Sequence, residues 1–212
     1  MQSLVHPKEN FYFALCALVS LLVYAGLVAA AYAAIEVFTG FAFYIVMGLT
    51  FAFLAQGLFI GHIRGNAIRI SPQQFPDVHK AVQEMAQRMG LSPAPAVYVL
   101  QAGGLLNAFA TRFLGRNFVV IYSDVLELAL EKGESELNFV ICHELAHIKR
   151  KHLIWRLILW PGMFFPFLNM AYSRACEYTC DRFGAHYVPE GAVSGVVVLA
   201  GEIGRASCRE RV

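Results

Sequence analysis

HELAHIKRKH, residues 143–152, places three histidines in ten positions with a glutamate directly after the first. A helix advances about 100° per residue. His143 and His147 are four residues apart, so they share one face about 40° apart, and their imidazoles can converge on one cation. Glu144 is turned about 100° from His143, close enough to reach a water beside the ion without ligating it. This is the H-E-x-x-H pattern of a zinc site on a helix. The pattern predicts a long helix from Ser135 to at least His152. On such a helix His152 stands about 180° round from His143 and points away. With Lys149, Arg150 and Lys151 it reads as a polar face close to a membrane.

A catalytic zinc takes three protein ligands and leaves a position open. SRACEYTCDRFGA, residues 173–185, supplies the candidate: Glu177 and Asp181, four apart on a helical stretch. Two histidines and Glu177 form one recognised ligand set. Asp181 could then accept a hydrogen bond from the far nitrogen of a ligand histidine, best His143. An acidic helix surface is the plain alternative, but beyond residue 76 the chain has only Asp77, Asp124 and Asp181 as aspartates. Cys176 and Cys180 also lie one turn apart, but no matching pair elsewhere completes a second metal site. His6, His62 and His79 fall outside the motif, and His186 is ambiguous.

Together, HELAHIKRKH and SRACEYTCDRFGA resemble the HtpX-like membrane zinc metallopeptidases, a broad family that includes the prenyl-protein (CAAX) endopeptidases. Asn107-Ala108-Phe109-Ala110 resembles the family's N-A-F-A segment, which leads into the strand beside the cleft. The resemblance spans about residues 70–200. It implies one zinc ion per chain, held by His143, His147 and Glu177. It also implies Glu144 as general base, Asp181 as support for a ligand histidine, and Asn107, Ala108 and Phe109 in contact with a polypeptide substrate. An extended substrate can pair with a sheet edge near Asn107 to Arg112. Tyr172, Tyr178, Arg182 and His186 are candidates for stabilising the oxyanion. The implied task is cleavage of membrane or misfolded proteins. One alternative is a scaffold that keeps zinc only for folding, for which Glu144 has no use. Another is a processing enzyme for one prenylated or secreted peptide.

The flanks explain the composition. The chain has 212 residues, 58% hydrophobic and only 15% charged, with a net charge of +2. That is more apolar than a typical soluble domain, and the charge does not suggest nucleic acid as a partner. Phe11–Ile35 and Phe38–Ile60 carry no charge, and each exceeds the roughly 20 residues that cross a bilayer as a helix. Glu36 and Val37 separate them, which predicts a tight hairpin. The first run is too long for a signal peptide, and a second span follows at once. Lys8, Arg64 and Arg69 flank the pair, so the basic-flank rule puts both ends and all that follows in the cytoplasm, here of a bacterial plasma membrane. A cytoplasmic domain keeps its cysteines reduced.

Between the motifs, helical spacing predicts a helix over residues 75–90 ended by Gly90. Strands follow over 96–100, 109–113 and 117–122, and a short helix runs from Asp124 to near Gly133. The fold class is α+β: an N-terminal two-helix transmembrane hairpin, then a mostly helical, zincin-type metallopeptidase domain with a small β-sheet. Leu153–Ala171, interrupted by Arg156, Pro161 and Pro166, reads as a broken segment at the membrane interface. Trp155 and Trp160 would sit at headgroup level, with Lys149–Lys151 against anionic lipid. A buried core hairpin is the alternative. Ile203–Val212 changes composition abruptly and resembles the translation of a sequencing adapter. It is read as non-native, with the natural chain continuing beyond residue 202. The expected division is a membrane anchor over 1–62 (spans about 11–35 and 38–61), a metallopeptidase domain over 63–202, and the tail.

Overall fold

Two apolar helices open the chain, α1 (Pro7–Ala33) and α2 (Ile35–Asn66). The computed structural model describes residues 4–101 and 108–199, with the backbone alone at 36–38, 128–130 and 132. Asn107, the loop at 102–104 and the tail at 203–212 lie outside the described residues. Pro7 and the His6 side chain, which accepts from the Lys8 N–H, start α1. The break between the helices falls at Ala34, φ −133°, not at Glu36-Val37. The backbone of residue 36 instead lies in the first turn of α2. Only 11% and 6% of the most apolar windows of these helices are buried. Helices this apolar and this little covered by protein are suited to lipid.

After a two-residue strand β1 (Ile68–Arg69) and helix α3 (Pro76–Arg88) come β2 (Ala96–Leu100), β3 (Ala108–Phe113) and β4 (Arg116–Tyr122). The sheet order is β1-β2-β4-β3. β2 runs parallel to β4, from Ala96 opposite Phe118 to Leu100 opposite Tyr122. β3 is antiparallel to β4 and lies at an edge. Leu114 and Gly115 turn the β3–β4 hairpin with both φ values positive, +46° and +79°, as a tight two-residue hairpin demands. Period-two alternation splits the buried strands between two cores. Val97, Val99, Val119 and Ile121 face the main core, while Tyr98, Phe118 and Val120 pack on Ile60 and Ile63 at the end of α2.

Helices α4 (Ser123–Lys132), α5 (Glu134–Lys149), α6 (His152–Ile158), α7 (Trp160–Met163) and α8 (Pro166–Tyr187) follow. A 3-10 turn, Pro189–Gly191, leads to helix α9 over residues 192–199, where the described residues stop. The single helix expected to reach His152 is broken. Lys151 takes the left-handed conformation, φ 57°, so α5 stops at Lys149 and α6 starts afresh at His152. The break also undoes the basic lipid-facing patch. Lys149 turns inward and its ammonium donates to the Met89 carbonyl, and Arg150 pairs with Glu9 of α1.

The segment after His152 leans on α1. Ser20 Oγ donates to the Leu159 carbonyl at 3.2 Å and accepts from the Gly162 N–H at 2.9 Å, and Tyr24 Oη donates to the Ile158 carbonyl. A Cβ on Gly162 would lie 2.6 Å from the Cys16 carbonyl oxygen, so only glycine permits this approach. Polar backbone groups of the α6–α7 break are thus satisfied by α1.

Candidate metal centre

Helix α5 is buried nearly all round, from Leu137 to Ile148, and forms the central strut of the domain. Its motif face looks toward α8. Gly184 lets α8 come close, since a Cβ there would stand 2.5 Å from the Phe139 ring. Asp181 and Glu177, one and two turns earlier on α8, are thereby carried to the histidines.

His143 Nε2 lies 3.3 Å from His147 Nε2 and 3.2 Å from Glu177 Oε2, and His147 Nε2 lies 3.4 Å from the same oxygen. Donors about 2.0–2.1 Å from a tetrahedral zinc stand about 3.3–3.4 Å from one another. The triangle therefore has the dimensions that such an ion requires. On the other side of the ring, His143 Nδ1 is 3.0 Å from Asp181 Oδ1. A carboxylate can only accept, so Nδ1 donates and Nε2 is left facing the triangle. His143, His147 and Cys180 also have donor atoms within 4.8 Å of one another. That spacing is loose for one ion, and complete burial holds the Cys180 thiol well above its usual range.

Charges follow the geometry. Burial alone would lower the His143 imidazole, but its bonds to Asp181 and Glu177, with the Glu144 and Glu177 charges, push it up to about 10. Burial would raise Glu177, yet the bonds from His143 and His147 hold its carboxyl well below the usual carboxylate range. A cation entering the triangle competes with the proton on His143 and takes over its role. Glu144 is buried, 4% exposed. Burial raises its carboxyl, against the charges of His147 and His143 and a hydrogen bond from the Ala110 backbone N–H on β3. A raised carboxyl beside a cation suits proton transfer.

A cleft of about 500 Å³ opens over this group, lined by Ala108, Phe109 and Ala110 of edge strand β3 and by His152, Leu153 and Arg156. Phe109 also stacks on Phe59 of α2, and Trp155 meets Phe13 of α1 edge-on. The cleft thus sits between the ends of the two apolar helices.

Of the sequence candidates, His143, Glu144, His147, Glu177, Asp181, Ala108 and Phe109 meet at this cleft. None of the four oxyanion candidates lines it. Tyr172 is buried against α1, Tyr178 packs at a tilt against His6, Arg182 donates to the Val5 carbonyl, and His186 abuts Tyr187. His152 departs most from expectation. Restarted by the helix break, it is 3% exposed, and its Nδ1 lies 3.0 Å from His147 Nδ1. Burial, only partly offset by Glu9, holds its imidazole below the usual histidine range. Sequence reasoning missed Glu9 altogether, though a carboxylate at the threshold of an apolar run is a signal.

Comparison with known proteins finds metallopeptidases. Residues 72–165 match the model of Peptidase family M48, a stretch that holds both motif histidines and ends before Glu177. The chain is 29% identical over 155 residues to the plastoglobule-localized metallopeptidase 48 of Arabidopsis thaliana, covering 65% of this chain and 44% of that protein. It is 31% identical over 136 residues to a protease HtpX homolog of Sulfurihydrogenibium, covering 63% and 44%. A Gemmatimonas aurantiaca HtpX homolog is 37% identical over 89 residues, covering 42% and 30%. The chain thus spans less than half the length of these curated relatives. Over residues 72–165 the chain is similar to peptidase family M48, and within it to HtpX-like metallopeptidases.

Proposed function

We propose that the chain is a membrane-anchored, zinc-dependent metalloendopeptidase, with His143, His147 and Glu177 holding the metal and Asp181 orienting His143. What supports the reading above all is the donor triangle of 3.2–3.4 Å set beside a buried Glu144. A bound zinc would polarise the scissile carbonyl and make water nucleophilic at neutral pH. Glu144, held by the Ala110 N–H, accepts the proton of the attacking water and passes it to the departing amine. The outer edge of β3 at Ala108 and Phe109, with Asn107 before it, takes an extended polypeptide by main-chain pairing, which reads few side chains.

Location of the cleft between the ends of α1 and α2 favours substrates in or near the bilayer, in line with quality control of membrane or misfolded proteins. Basic residues Lys8, Arg64 and Arg69 favour a cytoplasmic domain, in a bacterial plasma membrane. Ser20 lies about 13 Å along α1 from Phe11 at the helical rise of about 1.5 Å per residue. The α6–α7 segment that it holds would therefore dip below headgroup level as a re-entrant element.

The test is cleavage of casein and of a membrane protein by the full-length gene product, with and without chelator. Glu144→Gln should lower turnover at least about 100-fold with zinc content unchanged, and Glu177→Ala should lose the zinc. Cleavage that survives Glu144→Gln removes the general base, and full zinc occupancy in Glu177→Ala removes the third ligand.

A further inference from the structure

His147 Nδ1 does not meet a carboxylate, as His143 Nδ1 does. It meets a second imidazole, His152 Nδ1, at 3.0 Å. His152 Nε2 in turn faces Glu9 Oε1 at 3.5 Å, deep enough that both side chains are under 5% exposed. Arg150 donates to the same oxygen twice, from Nε at 3.0 Å and from Nη2 at 2.6 Å. Glu9 belongs to the first turn of α1, 141 residues before Arg150 in the chain. Its place is fixed. The His6 N–H donates to Thr179 Oγ1 and Arg182 donates to the Val5 carbonyl, clamping the start of α1 onto α8.

We infer that Glu9 and His152 are positioning residues for the metal site: a carboxylate–imidazole–imidazole relay through which the first turn of a membrane helix orients His147. The inference rests on the proposed metal centre. The protons fall in one order. With Nε2 turned to the metal, His147 Nδ1–H donates to His152 Nδ1. The remaining N–H of His152, on Nε2, then lies 3.5 Å from Glu9 Oε1, a charge contact without hydrogen-bond geometry, and Nε2 has no hydrogen-bond partner among the described residues. Arg150 keeps Glu9 charged and aimed. The two histidines of the motif are thus braced from opposite sides, His143 by Asp181 on α8 and His147 by Glu9 on α1. Groups that brace a ligand histidine in this way change metal affinity about 10–100-fold when removed.

The test is a double-mutant cycle on the full-length protein in detergent. Zinc affinity is read by competition with a chromophoric chelator, and site geometry by the visible spectrum of the cobalt(II)-loaded protein. His152→Gln should weaken zinc about tenfold or more and shift the cobalt bands. Glu9→Gln should weaken zinc several-fold, and this effect should vanish in the His152→Gln background, because Glu9 acts only through His152. Lys8→Gln, the exposed neighbour, should change neither reading. Equal losses from Glu9→Gln in both backgrounds would make Glu9 a general fold contact and overturn the relay. Wild-type affinity and spectrum in Glu9→Gln would do the same. Should Glu9→Gln not fold, Glu9→Asp keeps the charge toward Arg150 but retreats from His152, and an unshifted cobalt spectrum there overturns the relay. A wild-type chain that takes up no zinc refutes the metal centre itself, and the relay with it; a metal-loaded wild type with a flat cycle refutes the relay alone.

Discussion

Helices α1 and α2 read alike in sequence, each a long uncharged apolar run, and they do opposite work. The first half of α1 is packed: Cys16 is fully buried with Leu159, Tyr172 and Cys176, Ser20 holds the α6–α7 break, and Glu9 reaches the candidate metal centre. α2 is bare through most of its length. It meets the sheet only toward its end, where Phe53 and Phe59 touch Phe113 and Phe109, and Ile60 and Ile63 close the second core. Hydropathy reports that a segment can cross a bilayer. It is silent on which segment is also structural, because lipid and protein interior satisfy an apolar side chain equally well. What separates the two helices is polar: Glu9 and Ser20 lie where α1 has partners.

The sharpest way to break this contrast is steric. Gly162→Val places a Cβ 2.6 Å from the Cys16 carbonyl and 2.7 Å from Ser20 Oγ, backbone and a buried hydroxyl that cannot step aside. Destabilisation of about 3 kcal/mol is expected from such overpacking, seen as a lower unfolding midpoint in detergent. Gly48→Val on α2 meets nothing within 4 Å and should stay within about 0.5 kcal/mol of wild type. Equal losses would mean that α1 is no more structural than α2.

A hydroxyl pair gives the next effect. Ser20→Ala takes from the Gly162 N–H the hydroxyl it donates to, while the Leu159 carbonyl keeps the Met163 N–H, at about 1–3 kcal/mol for a buried donor left unpaired. Thr50 on α2 bonds only back to its own helix, at Val46, so Thr50→Ala should cost almost nothing on the same measurement. A loss at Thr50 as large as at Ser20 would give α2 a hidden partner in this region.

How much of this was legible follows from which interactions are local. The motif helix, the pairing of Glu177 with Asp181 and the three longer strands follow from spacing within one element. Such spacing survives any tertiary arrangement. The α5–α6 break does not. Lys151 adopts a positive φ that non-glycine residues rarely take, and no glycine or proline marks the spot. Once the helix is assumed to continue, His152 is turned away from His147 and the relay is invisible. Glu9 is illegible for another reason. Beside Lys8 it looks like a solvated flank, and nothing local couples residue 9 to residue 150. β1, two residues long, has no periodicity to read.

The smallest effect probes the one end where α2 resembles α1. Gln56 Nε2 donates to Thr111 Oγ1 on β3 at 3.3 Å, tying the membrane helix to the strand that lines the cleft. Gln56→Leu keeps the volume and suits lipid, so any loss comes from the bond. The bond is long, and a threonine hydroxyl can rotate to another acceptor, so the expected cost is about 0.5–1 kcal/mol. Unfolding in detergent measures it, with Thr111→Val as the partner in a double-mutant cycle. A coupling energy near that size makes Gln56 the counterpart, on a smaller scale, of Ser20. A coupling near zero, with either single loss unchanged, would leave the β3 edge supported by aromatic stacking on Phe53 and Phe59 alone. The polar asymmetry between the two helices would then be complete.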